Sequence, residues 1–193
     1  ALCGAVMAPF IAAVLAENNL LNAIEPVLGV IWDGTGLGDD GQIWGGEFFC
    51  FDGEATKSSR LTRVAHFGYF PFLLGDKMPR EPRLSALSTC HSLDGAEQVL
   101  RAKFSETEWK LYQKLPETKL PGCSSVGRMF DAVSSLLGLA DRVSYEGEAA
   151  LLLEDLARKY CKQSGFEFNS ACLEGVIAPG SPAIQTQSLF RHL

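Results

Sequence analysis

A chain of 193 residues, 47% of them hydrophobic and 21% charged, can bury a core and has an ordinary globular make-up, which excludes a disordered or fibrous protein. Its net charge of −6, with no long Lys/Arg run, argues against broad nucleic-acid binding, which needs a concentrated basic surface. The apolar opening ALCGAVMAPFIAAVLA lacks a basic leader and stops at Glu17, too soon to span a bilayer as a helix, so it reads as a buried segment at the cut end of a longer protein with no membrane contact.

Pro9 suits the first turn of a helix running through IAAVLAENNL, with Asn18 and Asn19 at its end. After Pro26, VLGVIWD is a short apolar run rich in β-branched residues and reads as a buried strand. A glycine-rich turn follows, and QIWGGEFFCFDG then resumes strand character up to the Asp52-Gly53 turn. SSRLTRVAHF supplies a third strand, and a loop containing Pro71, Gly75 and Pro79 comes after it. From Arg83 to about Leu115 the pattern is mainly helical, broken near Asp94-Gly95, and Pro116, Pro121 and Gly122 mark the next boundary.

The clearest helix starts at Ser124 or Ser125, either of which can cap its free amides, and stops at Gly138. Met129, Phe130, Val133, Leu136 and Leu137 form its apolar stripe, while Arg128, Asp131 and Ser135 lie on another face. A second helix over about 147–163 directs Ala149, Leu152, Leu153, Leu156 and Tyr160 inward and pairs Glu154 with Arg158 and Asp155 with Lys159 on its wet side. A loop-rich tail precedes SLFRHL, which starts a further helix. Helix, strands, then mostly helices make an α/β or α+β layer architecture around an antiparallel hairpin.

The hairpin carries the first chemical question. Gly36, Gly38 and Gly41 spell G-x-G-x-x-G, but a dinucleotide fingerprint needs a helix after its last glycine, and QIWGGEFF is β-prone. No Gly-Lys-Ser/Thr follows, which excludes a P-loop, and Leu37 and Trp44 stand where a calcium loop counted from Asp33 needs oxygen ligands. Two readings remain. In one, the backbone amides of Gly34, Thr35 and Gly36 approach a phosphate, and Asp33 orients a magnesium-bound water or a ligand hydroxyl. In the other, this is an ordinary hairpin with Asp-Asp-Gly at its tip, and Trp32 and Trp44 are packing residues rather than a platform for a base.

Six cysteines (Cys3, Cys50, Cys90, Cys123, Cys161, Cys172) form no C-x-x-C pair, and His66, His91 and His192 are far apart. No zinc spacing results; the thiols read as free in a reducing cytoplasm and the histidines as structural or surface residues.

In combination, DGTGLGDDGQIWGGEF, RVAHF, GDKMPREPR, SSVGRMFDAVSSLLG and SYEGEAALLLE, in this order over roughly residues 8 to 155, resemble the carboxy-terminal region of the HypF hydrogenase-maturation carbamoyltransferases. That region is similar to the tRNA threonylcarbamoyl-adenosine synthases and to the actin, sugar-kinase and Hsp70 class of ATP-binding folds, so the resemblance implies a partial fold of that class. It implies nucleotide contacts from Asp33, Gly34, Thr35 and Gly36 at the phosphates and from Asp131 at the ribose, with Gly147 permitting close approach. Glu146 is either a further polar contact or a helix-start carboxylate. Lys77, Arg80, Glu81 and Arg83 either face carbamoyl-adenylate or a neighbouring domain, or lie in a solvated loop.

The implied organisation is a fragment of one carbamoyltransferase module over 1–193: a helix and hairpin in 1–53, a family-specific insertion in 54–120, and a helical nucleotide-contacting part in 121–193. The implied chemistry uses carbamoyl phosphate, ATP and magnesium, via carbamoyl-adenylate made elsewhere in the long protein, to carbamoylate the carboxy-terminal cysteine of a HypE-type partner. The nucleophile is the partner's thiolate, so no catalytic residue of this chain is identified. The family's His-x-x-x-His metal motif is replaced by Val6, Met7, Ala8, Pro9 and Phe10, so an iron or zinc site is not carried over. Further motifs are expected beyond Leu193 and other domains before residue 1, and the fragment alone is expected to be inactive. The alternatives are another ATP-dependent enzyme of this fold class, such as a kinase or a tRNA-modifying transferase, and a non-catalytic remnant.

Overall fold

A computed structural model describes residues 7–53, 60–166, 181–186 and 190, with the side chain of Ala8 excepted. Among these residues the fold is mixed α/β. Helix α1 (Met7–Glu17) leads into the antiparallel hairpin of β1 (Val27–Leu37) and β2 (Ile43–Phe51), and β3 (Leu61–Phe67) pairs antiparallel with the other edge of β2. Short strands β4 (Phe70–Pro71), β5 (Gly122–Cys123) and β6 (Ala183–Ile184) complete a six-stranded sheet. β5 runs parallel to the start of β2, and β6 runs parallel to β3.

The turn between β1 and β2 lies later than GTG. Gly38 accepts a hydrogen bond from the Gly41 amide at 3.0 Å, and Gly41 takes φ +74°, so Asp39-Asp40-Gly41 is the three-residue loop. Gly34, Thr35 and Gly36 therefore belong to the strand. Asp40 fixes the tip by accepting from Trp44 Nε1 at 2.8 Å and from the Tyr69 hydroxyl at 2.6 Å. Arg63 stacks 4.0 Å above the Trp44 ring and reaches the fully buried Glu47 at 2.5 Å. Ser124 also donates to Glu47, so the hairpin is tied to the segment that begins the clearest helix.

Two apolar clusters hold the layers. Met7, Ile11 and Leu15 of α1 pack with Trp44, Phe49 and Phe51 of β2. A larger cluster joins a 3₁₀ turn (Gly75–Arg80) and helices α2 (Pro82–Cys90), α3 (Ala96–Arg101), α4 (Glu106–Tyr112) and α5 (Val126–Leu136). Each fully buried large side chain, such as Phe49 or Leu84, contributes about 1.5–3 kcal/mol. The described part of residues 54–120, read from the sequence as a family-specific insertion, supplies β3, β4 and a share of this core.

Sequence periodicity fails at two helices. Arg128, Asp131 and Ser135, the polar face of α5, are buried, as is Ser134, because α5 has α2 on one side and the hairpin on another. Conversely, in α6 (Glu148–Ser164) only Ala149 is buried, while Leu152, Leu156 and Tyr160 are exposed, Tyr160 meeting only the exposed ring of Phe166 among the described aromatic contacts. The Glu154–Arg158 and Asp155–Lys159 pairs do form, at 2.5 and 2.6 Å. The helix expected from SLFRHL lies outside the described residues, apart from the buried Phe190.

Candidate functional site

The site is built on a defect in β1. Trp32 pairs with Gly46 and Gly36 with Trp44, so Asp33, Gly34 and Thr35 together face the single residue Gly45. A bulge frees backbone from the ladder and re-aims side chains. Its position is fixed by Ser125, the N-cap of α5, whose hydroxyl accepts from the Arg128 amide at 3.2 Å and donates to the Asp33 carbonyl at 2.9 Å. Glycine is required for this approach: a Cβ on Gly45 would stand 2.6 Å from the Asp33 carbonyl oxygen, and one on Gly46 would stand 2.3 Å from that of Ser124. Gly127, in the first turn of α5, closes to the Cα of Gly34.

Two cavities open on either side of a wall made by Gly34, Arg128 and Glu146. The larger, about 550 Å³, adds Thr35, Arg80, Ser144 and Tyr145; the smaller, about 270 Å³, adds Asp33, Asp131, Gly147 and the exposed rings of Trp32 and Phe130. Arg128 and Asp131, 5% and 4% exposed, form an ion pair at 3.1 Å. Burial pushes the Asp131 carboxyl up to about 6, against the opposing pull of Arg128. It remains mostly ionised near neutrality and can accept two hydroxyl hydrogen bonds. The larger cavity sets Arg80 and Arg128 against Asp76 and Glu146, so its guanidinium side suits an oxyanion, while the smaller combines carboxylates with aromatic faces and suits a hydroxylated ring system.

The residues singled out from the sequence separate into two groups. Asp33, Gly34, Thr35, Asp131, Glu146 and Gly147 converge on the cavities, with Arg80 at the rim of the larger one. The Gly34 amide is occupied by the Asp33 carboxylate at 2.6 Å. Gly36 points elsewhere: its buried side faces Met7, and its backbone pairs with Trp44. At the start of α6, Glu148 takes the capping part by accepting from the Ser144 amide and hydroxyl, which leaves Glu146 on the cavity wall. Gly147 holds φ +81°, a conformation that disfavours any side chain.

Glu81 and Arg83 are buried rather than part of a solvated loop, and Lys77 is half-exposed beside them. Arg83 is buried and donates to Glu81, to Glu108 of α4 and to the Lys103 carbonyl, while its guanidinium lies 4.6 Å above the Phe104 ring. Lys77 turns to the Tyr112 hydroxyl at 2.8 Å. These groups knit the helical layer together, and of the four only Arg80 is left toward the cavities. Arg128 lies outside the contacts expected from the sequence; its i, i+3 spacing from Asp131 is the signal that places it at the site.

Among the described residues no group of three or more His, Cys, Asp and Glu side chains converges as a metal centre requires. His66 and His91 each bond a backbone carbonyl, of Phe67 and Ser88, through Nδ1. Burial pushes the Cys90 thiol up and that of Cys123 up to about 12, so neither supplies a thiolate. Cys3, Cys172 and His192 lie outside the described residues. Among the described residues no helix is long and apolar enough to cross a membrane.

Residues 29–193 match the family described as "Carbamoyltransferase, Kae1-like Domain, second subdomain". The chain is 39% identical over 155 residues to carbamoyltransferase HypF2 of Cupriavidus necator, covering 79% of this chain and 18% of that protein. It is 33% identical over 163 residues to carbamoyltransferase HypF of Synechocystis, covering 75% and 20%. In structure it resembles full-length HypF crystallised in a phosphate- and nucleotide-bound form, with TM-score 0.75 and 28% identity over 94% of this chain and 22% of that one. HypF of T. kodakarensis gives TM-score 0.69 and 31% identity over 92% and 23%. The chain thus spans about a fifth of the length of these relatives.

Proposed function

This chain belongs to the HypF carbamoyltransferase family, and from that premise we propose that its two-cavity site holds the nucleotide part of carbamoyl-adenylate while the carbamoyl group is passed to a cysteine thiolate of a HypE-type partner. The observation that carries this reading is the convergence of the Asp33–Thr35 bulge, Asp131, Glu146 and Gly147 on one pair of contiguous cavities. Asp131 accepts the ribose hydroxyls in the smaller cavity, the base lies along Trp32 or Phe130, and the phosphate lies toward the first turn of α5. Asp33, exposed at the bulge and with one oxygen on the Gly34 amide, fits a magnesium ion shared with ligand phosphates, since magnesium is commonly held by one carboxylate plus phosphate oxygens. Bound magnesium would supply charge neutralisation. The residues present do not fit an iron or zinc site, because Met7 occupies the relevant helix start as a core residue against Gly36.

In the transfer, the thiolate attacks the carbamoyl carbon, a carbon–sulfur bond forms, and the bond to the phosphate oxygen breaks, giving an S-carbamoyl cysteine and AMP. The part of this chain is to bind and orient the adenylate and to receive the negative charge that develops on the departing phosphate. ATP and carbamoyl phosphate would be consumed elsewhere in the longer protein, in a cytoplasmic setting, and this segment alone would be inactive. Calorimetry of AMP binding to the full-length protein tests the reading: Asp131→Ala should weaken AMP by about ten-fold or more, from the loss of hydrogen bonds to a charged acceptor. Unchanged affinity would remove Asp131 from the site.

A further inference from the structure

Arg128 lies outside the contact set expected from the sequence. Its Nε and Nη1 are both buried without a hydrogen-bond partner, in a residue only 5% exposed. A guanidinium kept out of water with an unfilled donor is costly, and such groups ordinarily find an acceptor. Asp131 supplies counter-charge, its Oδ2 3.1 Å from Nε, but the pair is not aligned as a hydrogen bond and Nη1 has no acceptor at all. Arg128 also lines both cavities, standing between the smaller lobe that holds Asp131 and the larger one that holds Arg80.

Two further features add positive potential, one in each of the two cavities that Arg128 lines. The amides at the start of the 11-residue α5 lie beside the bulge, and the unfilled N–H groups of a helix start favour an anion. Arg80 reaches the larger cavity from the end of the 3₁₀ turn. Glu146 lies on the shared wall, and Asp76 borders the larger cavity, so the anion is received on the Arg128 side rather than across the whole floor.

We propose that Arg128 is the anion receptor of this site, its fork holding the 5′-phosphoryl group of a nucleotide while Asp131 beside it takes the ribose hydroxyls. This rests on the nucleotide reading above and adds the residue that sets the ligand's direction across the two cavities. A guanidinium offers two parallel N–H groups to phosphate oxygens, which an ammonium cannot reproduce. Arg128 therefore discriminates AMP from adenosine.

The test is calorimetry on the full-length protein with AMP, adenosine and inorganic phosphate, comparing wild type with Arg128→Lys and Arg128→Gln. Expected are losses of AMP affinity of about ten-fold for Lys and about a hundred-fold for Gln, with adenosine changed by less than about two-fold. Equal losses for AMP and adenosine would mean that Arg128 only holds Asp131, and would overturn the proposal, as would AMP binding that survives Arg128→Gln. Should Arg128→Gln fail to fold, wild type and Arg128→Lys decide: AMP affinity must fall with added salt more steeply than adenosine affinity, and parallel curves overturn the proposal. Phosphate binding that depends on Arg128, with neither AMP nor adenosine bound, would keep the receptor and overturn the nucleotide.

Discussion

Replacing Arg83 by Met removes the centre of the helical layer. The guanidinium donates five hydrogen bonds: two to Glu81 at 3.0 and 2.7 Å, two to Glu108 at 3.1 and 2.6 Å, and one to the Lys103 carbonyl at 2.8 Å. Methionine fills much of the volume, so the loss is chiefly the stranded carboxylate of Glu81, which is buried. Breaking one side of a buried ion pair costs about 3–5 kcal/mol. Arg142 stands 3.5 Å from both Glu81 and Glu108 and offsets part of this, which places the expected loss near the lower end. Urea unfolding of the full-length protein measures it, with AMP affinity as the control. Arg83→Met combined with Glu81→Gln and Glu108→Gln should recover most of the stability, because a neutral replacement of the whole network leaves no stranded charge. The acid limb gives a second signature. Arg83, with help from the Ser105 amide, holds the Glu108 carboxyl down at about 2, below its usual 4.5. That stability is present above the usual value and is lost as pH falls from 4.5 toward 2; Arg83→Met should shrink this step to the part that Ser105 supplies. A destabilisation under about 1 kcal/mol, or weakened AMP binding at unchanged stability, would refute the structural role and return Arg83 to the ligand.

Gly46→Ala places a Cβ against the Ser124 carbonyl and should destabilise by about 1–3 kcal/mol or prevent folding, read by thermal melting. Ser125→Ala should cost about 1 kcal/mol as a lost cap and should also weaken AMP, since the same hydroxyl positions the bulge. The Asp131 carboxyl should titrate near 6 by carbon-13 NMR, raised by burial against Arg128. Because the native state then holds its proton more tightly than the unfolded chain, its contribution to stability should decline as pH rises from 3.8 through 6, and a titration below 4 would refute its burial.

The helices and the hairpin were legible because apolar spacing, caps and turn residues act locally. Ser125 and Gly138 bound α5 as expected, and the first three strands fall where β-branched runs lie. The bulge was not legible. Which residues of β1 stay unpaired depends on Gly45 and Gly46 across the strand and on Ser125, 92 residues away in sequence from Asp33. Burial of Arg128 and Asp131 was hidden for a related reason: a polar stripe reads as wet unless the second neighbour of the helix is known. α2 illustrates the same limit, since PRLSALSTC reads as half polar yet all nine residues are buried. Thr89 returns its hydroxyl to the Ser85 carbonyl, and Ser88 donates to Pro71, so these hydroxyls need no water. Of the candidate site, the family motifs marked Asp33, Gly34, Asp131 and Gly147; the assignment of Arg83 and Glu81 to that set failed because an ion cluster looks alike in sequence whether it faces a ligand or its own helices.

The Ser125 hydroxyl joins the start of α5 to the Asp33 carbonyl through one atom, so the two walls of the site cannot part without breaking a helix cap. The consequence is kinetic. On this side of the site the walls are joined before any ligand arrives, so little ordering entropy should be lost there on binding. Association should then appear as a single phase whose rate rises linearly with ligand concentration, with differences in affinity among ligands expressed in how slowly they leave.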